Sequence, residues 1–122
     1  MKKILIVEDE LALLNILRDT LNAQGYEVVK ARDGQEGLTL AQTQKPDLIL
    51  LDLLMPVMDG LAMLKTLKAS DWGGKIPVIV LSNLGSDTQI KDAAALGVSD
   101  YLVKSDWSVE EISQKIKDKI GT

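Results

Sequence analysis

Leu48-Ile49-Leu50-Leu51-Asp52 decides the fold: four apolar residues without a break, entered through Pro46-Asp47 and closed by a carboxylate. A strand with one wet face alternates apolar and polar side chains, so an unbroken run is covered on both faces, as in a parallel sheet between two layers of helices. The same pattern recurs at Ile4–Val7 and Val78–Leu81, with weaker runs at Tyr26–Val29 and Tyr101–Val103. These predict five strands.

The segments between the runs have helical period. The last is clearest, with Val109, Ile112, Ile116 and Ile120 on one face and charges on the other. Ser108 with Glu111 and Ser86 with Gln89 have capping-box spacing, and Asp33 with Glu36 repeats it with an aspartate cap. Gly25 and Gly97 stand where helices should stop. The order is β-α five times over, with no linker, repeat or low-complexity stretch, so residues 1–122 are expected to form one domain.

Composition narrows the chemistry. At 122 residues the chain can bury roughly two thirds of the surface that its unfolded form exposes. With no Cys there is no disulfide framework, thiolate zinc site or cysteine nucleophile, and with no His the commonest general base and metal ligand is missing. Catalysis would rest on carboxylates, lysines and hydroxyls. A net charge of −4 and a pI near 4.8 argue against direct nucleic-acid binding and point to protein partners. Ile4–Val7 is too short an apolar run for a signal peptide or membrane span, so a soluble cytoplasmic protein is expected.

Open parallel sheets bind ligands outside the carboxyl ends of their strands. There the sequence puts Glu8, Asp9 and Glu10 after the first run, Asp52 after the third, Ser82 after the fourth and Lys104 after the fifth. Acids crowded at one edge repel unless a hard cation sits among them, and Mg²⁺ takes such a shell of carboxylates, waters and phosphate oxygens. A hydroxyl and an ammonium at the same edge supply donors for an anionic group. Phosphoryl binding or transfer is the chemistry implied, with Asp52 as the nucleophile that would form an acyl phosphate. Each residue alone has a plainer account. Asp52 could cap a loop, Glu8 and Asp9 could start a helix, Ser82 could end a strand, and Lys104 could be a surface lysine. Their shared edge favours the site; Glu10 is read as an ordinary helix-start acid. Tyr101, one of four aromatics, reads as a half-buried ring at a strand start.

These residues resemble the response-regulator receiver family, including the chemotaxis regulators, from Lys2 to Ile120. Ile4-Leu5-Ile6-Val7-Glu8-Asp9-Glu10 is similar to the family's first strand and acidic pair. Asp52-Leu53-Leu54-Met55-Pro56-Val57-Met58-Asp59-Gly60 is similar to its acceptor loop, and Leu81-Ser82 and Tyr101-Leu102-Val103-Lys104 complete the pattern. The resemblance implies a flavodoxin-like, doubly wound α/β fold with strand order 2-1-3-4-5 and five helices. It implies Asp52 as phospho-acceptor, with Asp9, Asp52 and the backbone carbonyl of Leu54 as Mg²⁺ ligands and Glu8 acting through water. Lys104 and Ser82 would bind phosphoryl oxygens, and Ser82 with Tyr101 would form the switch. The donor would be a histidine kinase, a histidine phosphotransfer protein or a small acyl phosphate. A downstream protein would dock on the face made by the fourth helix, fifth strand and fifth helix.

Departures from the family pattern carry their own expectations. Ser105 follows Lys104 where the family usually has Pro, so a trans bond is expected there. Asn83 replaces a small residue and should narrow access to the acceptor. Leu54 and Leu84 cannot orient an attacking water, which predicts slow self-dephosphorylation. Only Gly121-Thr122 follow the last helix, so the chain is expected to act by docking or to be a receiver excised from a longer regulator. A pseudo-receiver that only binds partners is the alternative. A haloacid-dehalogenase-like phosphatase would need a second acid where Leu54 stands.

Overall fold

A computed structural model describes residues 1–55, 57–83, 86–98 and 100–122, so Pro56 and Leu84 lie outside the described residues. The strands are β1 (Lys3–Val7), β2 (Glu27–Ala31), β3 (Leu48–Leu51), β4 (Val78–Ser82) and β5 (Asp100–Val103). All pair in parallel, in the order β2-β1-β3-β4-β5 that the family resemblance implied. The helices are α1 (Leu11–Ala23), α2 (Gly34–Gln44), α3 (Gly60–Ala69), α4 (Asp87–Ala95) and α5 (Val109–Ile120). The β2 boundary is the least faithful to the sequence reading. Tyr26 precedes the strand, buried, with its hydroxyl donating to Gly121 O at 2.8 Å, and pairing runs on to Ala31.

Unbroken apolar runs work here because side chains along a strand alternate between faces. Ile4, Ile6, Leu48, Leu50, Ile79 and Leu81 pack with Leu14, Leu17 and Leu21 of α1 and Ile112 and Ile116 of α5. Leu5, Val7, Ile49, Leu51, Val78 and Val80 pack with Ala41, Met63, Leu64, Leu67 and Ala93 of α2, α3 and α4. Each run therefore feeds two cores.

Caps fix where the helices begin. The Ser108 hydroxyl accepts from Glu111 N while the Glu111 carboxylate accepts from Ser108 N, a complete box. Ser86 accepts from Gln89 N and Asp33 from Glu36 N, but the Glu36 carboxylate bonds Arg32 N. Asp59 caps α3 by accepting from Ala62 N at 2.8 Å. Gly25 and Gly97, at φ of +94° and +90°, follow α1 and α4 as expected.

Val57 is the exception to local propensity. It sits at φ +66° and is 84% exposed in the β3–α3 loop. A left-handed conformation costs an L-residue about 1–2 kcal/mol, and branching at Cβ makes it worse. With so little of the side chain buried, Val57→Asn is expected to raise stability by about 1 kcal/mol. Urea unfolding would show it, and an unchanged midpoint would contradict the strain.

Candidate functional site

The sheet's hydrogen bonds carry the site residues to one edge. Glu8 N donates to Ala31 O and Asp52 N donates to Val7 O, each continuing a ladder one step past its strand. Asp52 thereby lies beside Glu8 instead of drifting into the loop. Ser82 ends β4, fully buried, in register with Val103, so Lys104 follows immediately beyond it.

Lys104 holds the acids together. Its ammonium lies 2.6 Å from Glu8 Oε1 and 3.1 Å from Asp52 Oδ2. Glu8 and Asp52 are 2% and 5% exposed, so this is a buried ion triad with each carboxylate given a second donor. Glu8 Oε2 accepts from Glu10 N at 3.1 Å, and Asp52 Oδ1 accepts from Leu54 N at 3.1 Å. Asp9 is exposed, yet ligand oxygens of Glu8, Asp9 and Asp52 all lie within 4.8 Å of one another. An all-oxygen set of that compactness fits a hard divalent cation. A cavity of about 280 Å³ opens beside it, lined by Asp9, Glu10, Asp52, Leu54, Asn83 and Lys104. Asn83 stands exposed on that wall.

The electrostatics follow from this packing. Burial pushes the Glu8 carboxyl up to about 7; Lys104 and Glu10 N pull it back and the Asp52 charge adds to the rise. Burial pulls Lys104 down, but its bonds to Glu8 and Asp52 outweigh that and leave it above the usual lysine range. Burial raises the Tyr101 hydroxyl, helped by the Asp52 charge, which places this half-buried ring within electrostatic reach of Asp52.

Glu8 has a consequence for stability. Its folded pKa lies above its ordinary value, so the folded protein holds a proton that the unfolded chain has lost between pH 4.5 and about 7. The contribution is complete below pH 4.5 and disappears as pH rises through about 7. Metal-free protein should therefore lose stability over that window, and Glu8→Gln should flatten this part of the profile. Parallel urea-midpoint profiles of the two proteins would refute it.

The residues that sequence reasoning placed at one edge, Glu8, Asp9, Asp52, Ser82 and Lys104, do lie together there, and Tyr101 is a half-buried ring near the start of β5, opposite Val80. The same reasoning underrated Glu10, whose carboxylate, although 60% exposed, lies 3.8 Å from the Lys104 ammonium and on the cavity wall. The Lys104–Ser105 bond is trans, as expected. Gly60 was missed as well. A Cβ there would meet Asp52 O at 2.2 Å and Leu53 Cα at 2.6 Å, so the start of α3 lies directly on the backbone of Asp52 and Leu53. A glycine immediately after a capping aspartate, where helix propensity disfavours it, was the available signal.

A profile of the response regulator receiver domain family matches residues 4–117. The chain is 42% identical over 117 residues to the probable transcriptional regulator ycf27 of Cyanophora paradoxa, covering 95% of this chain and 47% of that one. It is 35% identical over 116 residues to the alkaline phosphatase synthesis transcriptional regulatory protein PhoP of Bacillus subtilis, with 95% and 47% covered. It thus spans about half the length of the curated relatives it matches. Among solved structures, the chemotaxis response regulator CheY4 of Vibrio cholerae has a TM-score of 0.88 at 30% identity, covering 97% of this chain and 98% of that one. The phosphorylated cyanobacterial phytochrome response regulator RcpA has a TM-score of 0.81 at 34% identity, with 97% and 90% covered.

Proposed function

Because the chain belongs to the response regulator receiver domain family, we propose that residues 1–122 form one receiver domain of two-component signalling that takes a phosphoryl group on Asp52. The observation that supports this most is the Lys104 ammonium held between Glu8 and Asp52 at the mouth of a cavity walled by further carboxylates. An Asp52 oxygen attacks phosphorus. The bond from phosphorus to the donor's leaving group breaks, and the acetate or imidazole departs with the electron pair. Lys104 and Ser82 then bind phosphoryl oxygens, and Lys104 exchanges a carboxylate partner for a more highly charged one. Asp9, Asp52 and the Leu54 carbonyl would hold Mg²⁺, with Glu8 acting through water. Mg²⁺ supplies the positive charge that offsets repulsion between these acids and an incoming phosphate.

The donor is a histidine kinase or histidine phosphotransfer protein, or a small acyl phosphate. Movement of Ser82 toward the phosphoryl group would draw Tyr101 inward and reshape the face of α4, β5 and α5 for a downstream protein. No helix among the described residues is long and apolar enough to cross a membrane, and a cytoplasmic location suits this role. Leu54 is 62% exposed beside the acceptor and offers no group to orient water, which favours slow loss of the phosphoryl group. Nor does it offer the second acid that a haloacid-dehalogenase-like phosphatase requires. No observation favours a pseudo-receiver.

Incubation with acetyl phosphate and Mg²⁺, followed by intact mass measurement, tests the reading. One phosphoryl adduct, dependent on Mg²⁺, is expected. An unmodified mass at saturating donor would overturn it.

A further inference from the structure

Lys104 must keep its ammonium on two buried carboxylates, yet its own backbone lies beyond the sheet. It is the first residue of a single 3₁₀ turn, Lys104–Asp106. Such a turn is weak by itself, and the bond from Trp107 N to Lys104 O is long at 3.5 Å. Ser105 and Asp106 are exposed and anchor nothing by burial. The next residue, Trp107, packs its half-buried ring against the core cluster that holds Ile4, Ile6, Leu102, Ile112 and Ile116. The Lys115 ammonium lies over the ring, 5.9 Å from its centroid, and also pairs with Asp100 at 3.6 Å. The strap thus runs from the β4–β5 ladder to the Ser108 capping box, with one large apolar side chain between them.

We infer that Trp107 is a positioning residue for Lys104: its indole, packed against the α1/α5 core and under the Lys115 ammonium, pins the turn that aims the Lys104 ammonium at Glu8 and Asp52. A side chain as long as lysine reaches a fixed point only if its backbone is fixed, and a misplacement near 1 Å can cost about a hundredfold in rate. The inference rests on the phospho-acceptor reading for its functional meaning, but the placement of Lys104 can be measured without it.

The experiment is NMR of the side-chain ammonium groups in metal-free protein, alongside the rate of acetyl phosphate labelling at saturating Mg²⁺. Wild type should show a protected ammonium signal that is lost in Lys104→Ala. Trp107→Ala should lose that signal and label about tenfold more slowly or worse, while Trp107→Phe retains both. Mg²⁺ affinity should stay the same or tighten in Trp107→Ala, because a competing cation has been loosened, whereas general unfolding of the site would weaken it. If Trp107→Ala does not fold, Trp107→Leu takes its place. A folded variant that melts earlier but keeps the ammonium signal and the labelling rate overturns the inference, since the ring then only packs. If wild type takes no phosphoryl group, the phospho-acceptor reading fails, and the ammonium signal alone decides the role of Trp107.

Discussion

Asp52→Asn is expected to abolish the phosphoryl adduct entirely while leaving the fold as stable as before, or up to about 1 kcal/mol more stable. The two effects come from the same geometry. An amide has no anionic oxygen to attack phosphorus, and the neighbouring carboxylates Glu8 and Asp9 follow β1, so neither takes the place of Asp52 at the end of β3. Stability behaves differently. The Asn carbonyl can still accept from Leu54 N, as Asp52 Oδ1 does at 3.1 Å, and the side-chain volume is unchanged. Lys104 loses one partner but keeps Glu8 at 2.6 Å, so no buried charge is left unpaired. Meanwhile one of the mutually repelling carboxylates is gone. Intact mass after acetyl phosphate treatment reads the first effect and thermal unfolding without metal reads the second. An adduct formed at the wild-type rate would move the acceptor elsewhere, and a loss of several kcal/mol would mean that Asp52 is structural.

That result would also show how far the sequence could be read. Leu48–Leu51 announced a doubly covered strand because both of its faces are in fact packed, and the carboxyl-edge rule then found Asp52, Glu8, Asp9, Ser82 and Lys104 before any distance was known. The rule works because parallel strands must all end on the same side. It says nothing about depth. Glu8 and Asp9 are neighbours in the chain, yet Glu8 is 2% exposed and titrates near 7, whereas Asp9 stands in solvent. The difference arises from strand alternation carried one residue past β1, and from a lysine nearly a hundred residues away. Glu10 illustrates the same limit. Its place at the start of α1 was legible, but its approach to Lys104 depends on how the strap before α5 is held.

The glycine that opens α3 has the largest expected effect on the fold. Gly60 N donates to Leu53 O at 3.0 Å, and its Cα is so close to the chain after β3 that an added Cβ would lie 2.2 Å from Asp52 O, 2.6 Å from Leu53 Cα and 2.9 Å from Asp52 C. All three atoms belong to backbone, and that backbone is held by the bond from Asp52 N to Val7 O in the centre of the sheet. No side chain can rotate to make room. Gly60→Ala must therefore push α3 away from β3, opening contacts of Met63, Leu64 and Leu67, all fully buried. The intrinsic helix preference of Ala over Gly, about 1 kcal/mol, acts in the opposite direction and is too small to offset this. A loss of about 3 kcal/mol or more is expected in urea unfolding. Whatever fraction remains folded should label slowly with acetyl phosphate, because the displaced segment carries Asp52 itself. A variant within 1 kcal/mol of wild type would show that α3 can slide without cost and that the close approach at Gly60 does not set the position of Asp52.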